Sequence, residues 1–174
     1  MARKSITPAP AVHAPEEWLE QVQTDELARL LEWIRAVDAK VPVLMAISSA
    51  IVASVAAVAP VPSNLNWNSI AWIAAGVAPQ VVSLVYCALA TFPQTKGPSG
   101  SLIFFGGIAS RSAEQHRLDV ARLTRDAHLA DLTAQCHRNA QIAAIKYQRV
   151  RRATAWLFIG LAPWVVAIYF LYRP

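Results

Sequence analysis

The chain has 174 residues, of which 55% are hydrophobic and only 16% charged, with a formal net charge of +5. Soluble domains carry about 25% charged residues, whereas residues 41–95 hold no Asp, Glu, Lys or Arg. A soluble domain would scatter charge through such a span to solvate its surface, so the composition excludes one and points to a membrane protein.

Residues 1–14, MARKSITPAPAVHA, lack periodicity and are rich in Pro and Ala, which predicts a disordered tail. The first apolar run begins near Val41, with no small-residue cleavage site after a short apolar region. It therefore reads as retained structure rather than a signal peptide. Residues 15–40 read as an amphipathic helix. Pro15 suits the first helical position, and Glu16, Glu17 and Glu20 suit the positive end of the helix dipole. Leu19, Val22, Leu27, Leu30, Leu31, Ile34 and Val37 fall roughly on one side. Asp25 offers a cap of its own, so one helix or two remains open.

Residues 42–61 predict a first membrane span, since about 20 apolar residues at ~1.5 Å rise cover the hydrocarbon core. A short uncharged turn, PSNLNWNS, occupies 62–69, with Trp67 at interface depth. Residues 70–92 predict the second span, so that 41–92 form a transmembrane hairpin. Pro79 lies in its middle and predicts a kink that frees a carbonyl near Ala75. The loop PQTKGPSGS (93–101) and the patch LIFFGGIA (102–109) follow. Ser112 and Gln115 predict a capping box that opens a helix over 113–124. Another helix opens near Asp126 and continues without a breaker through residue 152 into a third span, 153–172. It is about 45 residues, or roughly 70 Å, long, and Pro163 kinks its membrane half.

Lys and Arg placement predicts orientation. Five occur in residues 1–40, ten in 96–152 and none in the turn between the first two spans. The positive-inside rule then makes the N-terminus and residues 93–152 cytoplasmic and the C-terminus external. The expected fold is an all-α membrane protein, with three transmembrane helices, a cytoplasmic helical module and an N-terminal amphipathic helix. Residues 1–40 carry seven acids against five bases, and residues 96–152 carry ten bases against four acids. The two pieces can attract one another.

Projected as a helix, residues 126–152 place His128, Asp131, Gln135, Asn139, Ile142, Lys146 and Arg149 in one stripe. An apolar seam containing Leu129, Leu132, Cys136, Ala143 and Tyr147 runs beside it. Lys and Arg suit a phosphate, and Asn and Gln suit the mixed donor and acceptor edge of a base. Phe104, Phe105 or Tyr147 offers a stacking face. The plainer reading stands beside this one. Arg149, Arg151 and Arg152 at a membrane boundary suit topology anchors. Gly106–Gly107 suits a turn, and it lacks the spacing of a phosphate loop. His128 and Asp131, one turn apart, suit a solvated contact. Cys136 and His137 point about 100° apart on a helix and share no metal site. No nucleophile elbow, paired-carboxylate motif or His-x-x-x-His pattern occurs, so no catalytic or metal residue is expected and the chain does not read as an enzyme.

Within the first span, Ala46, Ala50 and Ser54, with Ala53 and Ala57, form a small-residue face suited to close helix approach. Gln80 is the one amide at mid-span. Such a group lines a pore or bonds across helices.

The phrase LIFFGGIA, the pattern Gln135-x-x-x-Asn139-x-x-Ile142-Ala143-x-x-Lys146-Tyr147 and the following apolar span resemble the transmembrane effectors of the bacterial Pycsar antiphage system. Asp38-x-Lys40 before the first span resembles them too. The likeness covers most of residues 36–160. It departs at Gly107, where the family phrase F-G-H-I-A carries His, and Pro42 after Asp-x-Lys is a second departure. The resemblance implies a multi-pass protein of the bacterial inner membrane whose residues 93–152 are the sensor. A partner pyrimidine nucleotide cyclase, triggered by phage, would make cyclic UMP or cyclic CMP. The effector would bind it on the cytoplasmic side and impair the membrane, halting growth before phage mature. The expected ligand residues are Phe105, Gly106, Gly107, Gln135, Asn139, Lys146 and Tyr147. Lipid is an expected partner; nucleic acid and metal are not.

Energetics add an expectation. Driving a two-state equilibrium from 1:99 to 99:1 needs about 5.5 kcal/mol of differential affinity. One site with a few charged hydrogen bonds falls short, and several sites in a homo-oligomer supply it. The alternative is a membrane-anchored scaffold whose 15–40 helix docks a partner protein. A membrane enzyme subunit ranks third.

Overall fold

The structure is a computed structural model that describes residues 16–59, 66–93 and 95–172. The tail 1–14 and residues 60–65, which include the first half of the first turn, lie outside the described residues. Helix α1 (Glu16–Asp38) is followed after one residue by α2 (Lys40–Val58). Ala39 between them keeps helical dihedrals, φ −64° and ψ −24°, and its N–H donates to the Arg35 carbonyl at 2.9 Å. The two therefore act as one continuous rod. Pro42 explains the one-residue interruption, because it has no N–H for the Asp38 carbonyl one turn earlier. Asp25 does not divide α1. The preceding Thr24 turns its hydroxyl back onto the Glu20 carbonyl, 2.9 Å away, a bond that belongs inside a helix rather than at its start.

Helix α3 (Trp67–Thr91) begins three residues before the expected span. The Asn66 carboxamide caps it by accepting the Ser69 N–H at 2.8 Å. Pro79 lies inside α3 without ending it. Two short helices follow, α4 (Phe105–Ala109) and α5 (Ala113–Ala121). Ser112 caps α5 by accepting the Gln115 N–H at 3.2 Å, as the capping pattern predicts. Helix α6 (Arg125–Tyr172) then runs for 48 residues, about 72 Å. Among the described residues, three helical rods are long and apolar enough to cross a membrane. No strand occurs among the described residues.

A single buried seam passes from α1 into α2 through Leu30, Val37, Val41, Ser48 and Val55, at steps of seven and four. That period keeps one side of a helix on its partner. Where the apolar runs begin, Val37 and Val41 meet Cys87 and Ala90 of α3 and Val150 and Ala153 of α6. The three membrane helices therefore share a packed collar at the polar–apolar boundary.

Deeper in the bundle, α3 and α6 touch through glycine. A Cβ on Gly76 would lie 2.9 Å from Trp164 Cα, and one on Gly160 would lie 3.1 Å from the Gly76 carbonyl oxygen. Small residues let membrane helices approach this closely. Polar groups tie the same interior together. Ser48 donates to Ser83 at 3.2 Å, and Trp164 Nε1 donates to Ser54 Oγ at 3.0 Å. Gln80 is wholly buried and donates to the Leu157 carbonyl at 3.2 Å. Ser54 of the small-residue face thus serves the interior, while Ala46, Ala50, Ala53 and Ala57 face outward.

Outside the membrane segment, α1 and the polar half of α6 lie side by side in parallel. Glu20 pairs with Arg125 at 3.4 Å, Cys136 Sγ contacts the Gln23 carbonyl at 3.3 Å, and Asp38 pairs with Lys146. The opposite net charges of the two pieces favour this register.

Candidate ligand-binding cleft

The polar stripe of α6 holds a loop against itself. Asp131 Oδ2 accepts the Leu102 N–H at 2.8 Å. Gln135, only 3% exposed, donates through Nε2 to Ser101 Oγ at 2.9 Å. The same Ser101 oxygen accepts the Ile103 and Phe104 N–H groups at 3.2 and 2.9 Å. Side-chain acceptors are what a chain needs where it leaves a loop and its N–H groups have no helical partner. The consequence is positional: Ile103, Phe104 and Phe105 stand over α6 rather than in solvent.

Between that loop, α1 and α6 lies a cleft of about 440 Å³, within the range of small-molecule sites. Leu27, Leu31 and Ile34 of α1 make one wall, and Ile103, Phe104 and Phe105 make the other. Gln135, Asn139 and Lys146 form a polar floor. The Phe104 and Phe105 rings sit 4.5 Å apart, tilted by 44°, and Phe105 is 60% exposed. Asn139 donates to the Gln135 backbone carbonyl at 2.9 Å, which leaves its side-chain oxygen free to accept.

Lys146 closes the membrane end of the cleft. Its ammonium contacts both Asp38 oxygens, at 2.6 and 2.8 Å. The Lys146 side chain is 12% exposed and that of Asp38 45% exposed. The cation is therefore already neutralised by a carboxylate that water can reach.

Of the seven residues expected at a ligand, the structure brings Phe105, Gln135, Asn139 and Lys146 to one cleft. Tyr147 points from another face of α6 into a second, larger cleft. Gly106 packs beneath Phe104, with the ring edge 2.9 Å from where its Cβ would be. Gly107 presses against the Ser101 carbonyl, 2.2 Å from its would-be Cβ. This accounts for glycine at 107: a side chain there would strike backbone. Arg111 organises the same corner. It donates to the Gly100, Ser101 and Gly107 carbonyls at 2.8, 3.0 and 2.6 Å and pairs with Asp119 at 3.1 Å.

Three further cations have structural partners. Arg149 donates to the Leu89 carbonyl in the last turn of α3, satisfying a helix end. Arg152 lies over the Tyr86 ring, 5.8 Å from its centroid. Arg138 donates to the Lys96 carbonyl at 2.7 Å. Burial, and then the nearby Glu26 carboxylate, push the Cys136 thiol up. Among the described residues, no group of three His, Cys, Asp or Glu side chains is placed to hold a metal.

Sequence reasoning did not assign Asp38, Ser101 or Arg111 to the site. Ser101 carries a faint signal, as a hydroxyl residue ending a Gly/Pro/Ser loop before an apolar patch. Asp38 stands 108 residues from its partner, and no local spacing links the two.

These features define a class: an all-helical membrane protein in which one unbroken helix joins a polar-floored cleft to the membrane-crossing bundle. The family model for the Pycsar effector protein domain, PycTM, matches residues 23–173. The chain belongs to that family and is an antiphage defence effector. No curated protein and no solved structure matches it.

Proposed function

We propose that the chain senses a cyclic pyrimidine mononucleotide, cyclic UMP or cyclic CMP, in the α1–α6 cleft and responds by impairing the inner membrane. Growth arrest or abortive infection follows. The observation that supports it is the convergence of two amides, one ammonium and an exposed aromatic ring on one cleft. The amides suit a pyrimidine edge, Phe105 its face, and Lys146 the cyclic phosphate. The ligand's phosphate competes with Asp38 for Lys146. Its arrival releases α1 from α6 beside the collar where all three membrane helices meet. Helix α6 carries the change inward, because it has no break between floor and bundle. In this reading the N-terminus and residues 93–152 are cytoplasmic, the C-terminus is external, and a pyrimidine nucleotide cyclase supplies the ligand. Several copies act together, because one cleft supplies too little differential affinity. The chain acts without catalysis.

The scaffold reading is less favoured. Leu30 and Val37 of the α1 face that would dock a partner are already buried within the chain, and only Leu19, Val22 and Leu31 of that face stay exposed.

The test is dye leakage from liposomes carrying the purified protein, with cyclic UMP, cyclic CMP, cyclic AMP or no nucleotide. Leakage with one cyclic pyrimidine only, lost in Lys146→Ala, is expected. Folded, inserted protein that stays tight with every nucleotide sinks the proposal.

A further inference from the structure

The second cleft, about 700 Å³, opens between the α1–α2 junction and a face of α6 away from Lys146. Lys40 and Arg151 reach it from the two sides, with Tyr147 and Gln148 between them and Val150 and Thr154 at its membrane end. Lys40 is the last charge before the apolar run of α2, and Arg151–Arg152 are the last before that of α6. The two cations therefore stand at the same polar–apolar boundary on different helices.

No Asp or Glu occurs in residues 39–113 or 132–174. The nearest acid along the chain, Asp38, has both oxygens on Lys146. Lys40 and Arg151 make no ion pair or hydrogen bond among the described residues. Arg152 differs, since it is engaged over Tyr86. Two unpaired cations, a phenol and an amide around one cleft want an anion with several acceptor oxygens. A basic pocket between membrane helices at this level suits a lipid headgroup.

We infer that this cleft binds the phosphate headgroup of an anionic phospholipid. Lys40 and Arg151 supply the charge, and Tyr147 and Gln148 supply hydrogen bonds. A lipid, rather than free phosphate, follows from the membrane end of the cleft. There Val150 and Thr154 lie at the entrance to the apolar run, where an acyl chain has somewhere to go.

The test uses the full chain in uncharged detergent, with binding of short-chain phosphatidylglycerol, phosphatidylcholine and inorganic phosphate followed by native mass spectrometry. Phosphatidylglycerol is expected to bind in preference to the other two. One cation near a surface contributes about fivefold, so R151Q loses about fivefold and K40Q/R151Q about 30-fold. R152Q, which removes the same charge one residue along, leaves the affinity unchanged. Equal losses in R151Q and R152Q would mean diffuse boundary charge and overturn the inference. Inorganic phosphate binding as well as phosphatidylglycerol overturns the lipid as occupant. Wild-type protein that takes phosphatidylglycerol no better than phosphatidylcholine overturns the site without recourse to any variant. No nucleotide enters these measurements, so their outcome is separable from that of the leakage assay.

Discussion

Lys146 grips Asp38 through both carboxylate oxygens, at 2.6 and 2.8 Å, and so joins the end of α1 to α6 directly below the three-helix collar. A charge-assisted pair of this kind contributes about 1.5–3 kcal/mol, and the half-exposed Asp38 places it toward the lower end. Asp38→Asn is expected to lower stability by about 1–2 kcal/mol and to reduce the cyclic nucleotide concentration that half-activates leakage, because the phosphate no longer competes with a carboxylate. A titration of leakage against nucleotide checks it. An unchanged or higher half-activating concentration counts against the exchange.

Ser101 is the hub that holds the aromatic wall over the cleft. Ser101→Ala leaves the Gln135 amide and two backbone N–H groups without their acceptor. Each unsatisfied group costs about 1–3 kcal/mol where water cannot reach it. Nucleotide binding should weaken at least tenfold, ~1.4 kcal/mol, while helix content by circular dichroism stays near wild type. Isothermal titration calorimetry provides the binding measurement.

The glycines in the bundle should tolerate no larger residue. Gly76→Ala puts a methyl 2.9 Å from the Trp164 backbone, which has no rotamer with which to move aside. Overpacking of this kind costs about 1–3 kcal/mol. Gly160→Ala meets the Gln80 side-chain amide first, at 2.4 Å, so part of its strain can be relieved by rotation. Unfolding in detergent should therefore rank Gly76→Ala as the more damaging.

Gln80 donates to Leu157, but its carbonyl oxygen has no partner among the described residues although it is buried. Hydrogen bonds between membrane helices average about 0.6 kcal/mol, and an orphaned acceptor offsets that gain. Gln80→Leu, of similar length, should change stability by less than about 1 kcal/mol. A loss of several kcal/mol in the same unfolding assay would mean that the amide has a partner outside the single chain, such as a second copy.

Cys136 should alkylate slowly. Burial, then the Glu26 carboxylate, raise its thiol pKa, so less thiolate is present at neutral pH than for an ordinary cysteine. Reaction with maleimide should accelerate only at higher pH than for a solvent-exposed thiol. Glu26→Gln should shift that rise modestly downward and leave most of the protection, since burial is the larger cause. Stopped-flow rates across pH measure it.

Much of the site was legible because it lies on one helix. Gln135, Asn139 and Lys146 share a stripe by period alone, and Phe105 was legible as a nearby stacking face. Tyr147 shows the limit of that reasoning. Its neighbour Lys146 enters the ligand cleft, but one residue further turns the side chain about 100°, and Tyr147 enters the boundary cleft instead. Gly107 shows another limit: its close approach to the Ser101 carbonyl depends on how a loop folds back, which no helical period describes.

By itself, the order of residues determined the three spans, the long continuous α6, the cap at Ser112 and the interruption at Pro42, because apolar length, helical period and missing N–H groups act locally. Tertiary structure alone decided that Asp38 neutralises Lys146 and that Gly76 and Gly160 bring α3 against α6. It also decided that Lys40 and Arg151 line one cleft. Each of these joins residues far apart in the chain, and helix packing selects such pairs by shape and charge at a distance that no local rule spans.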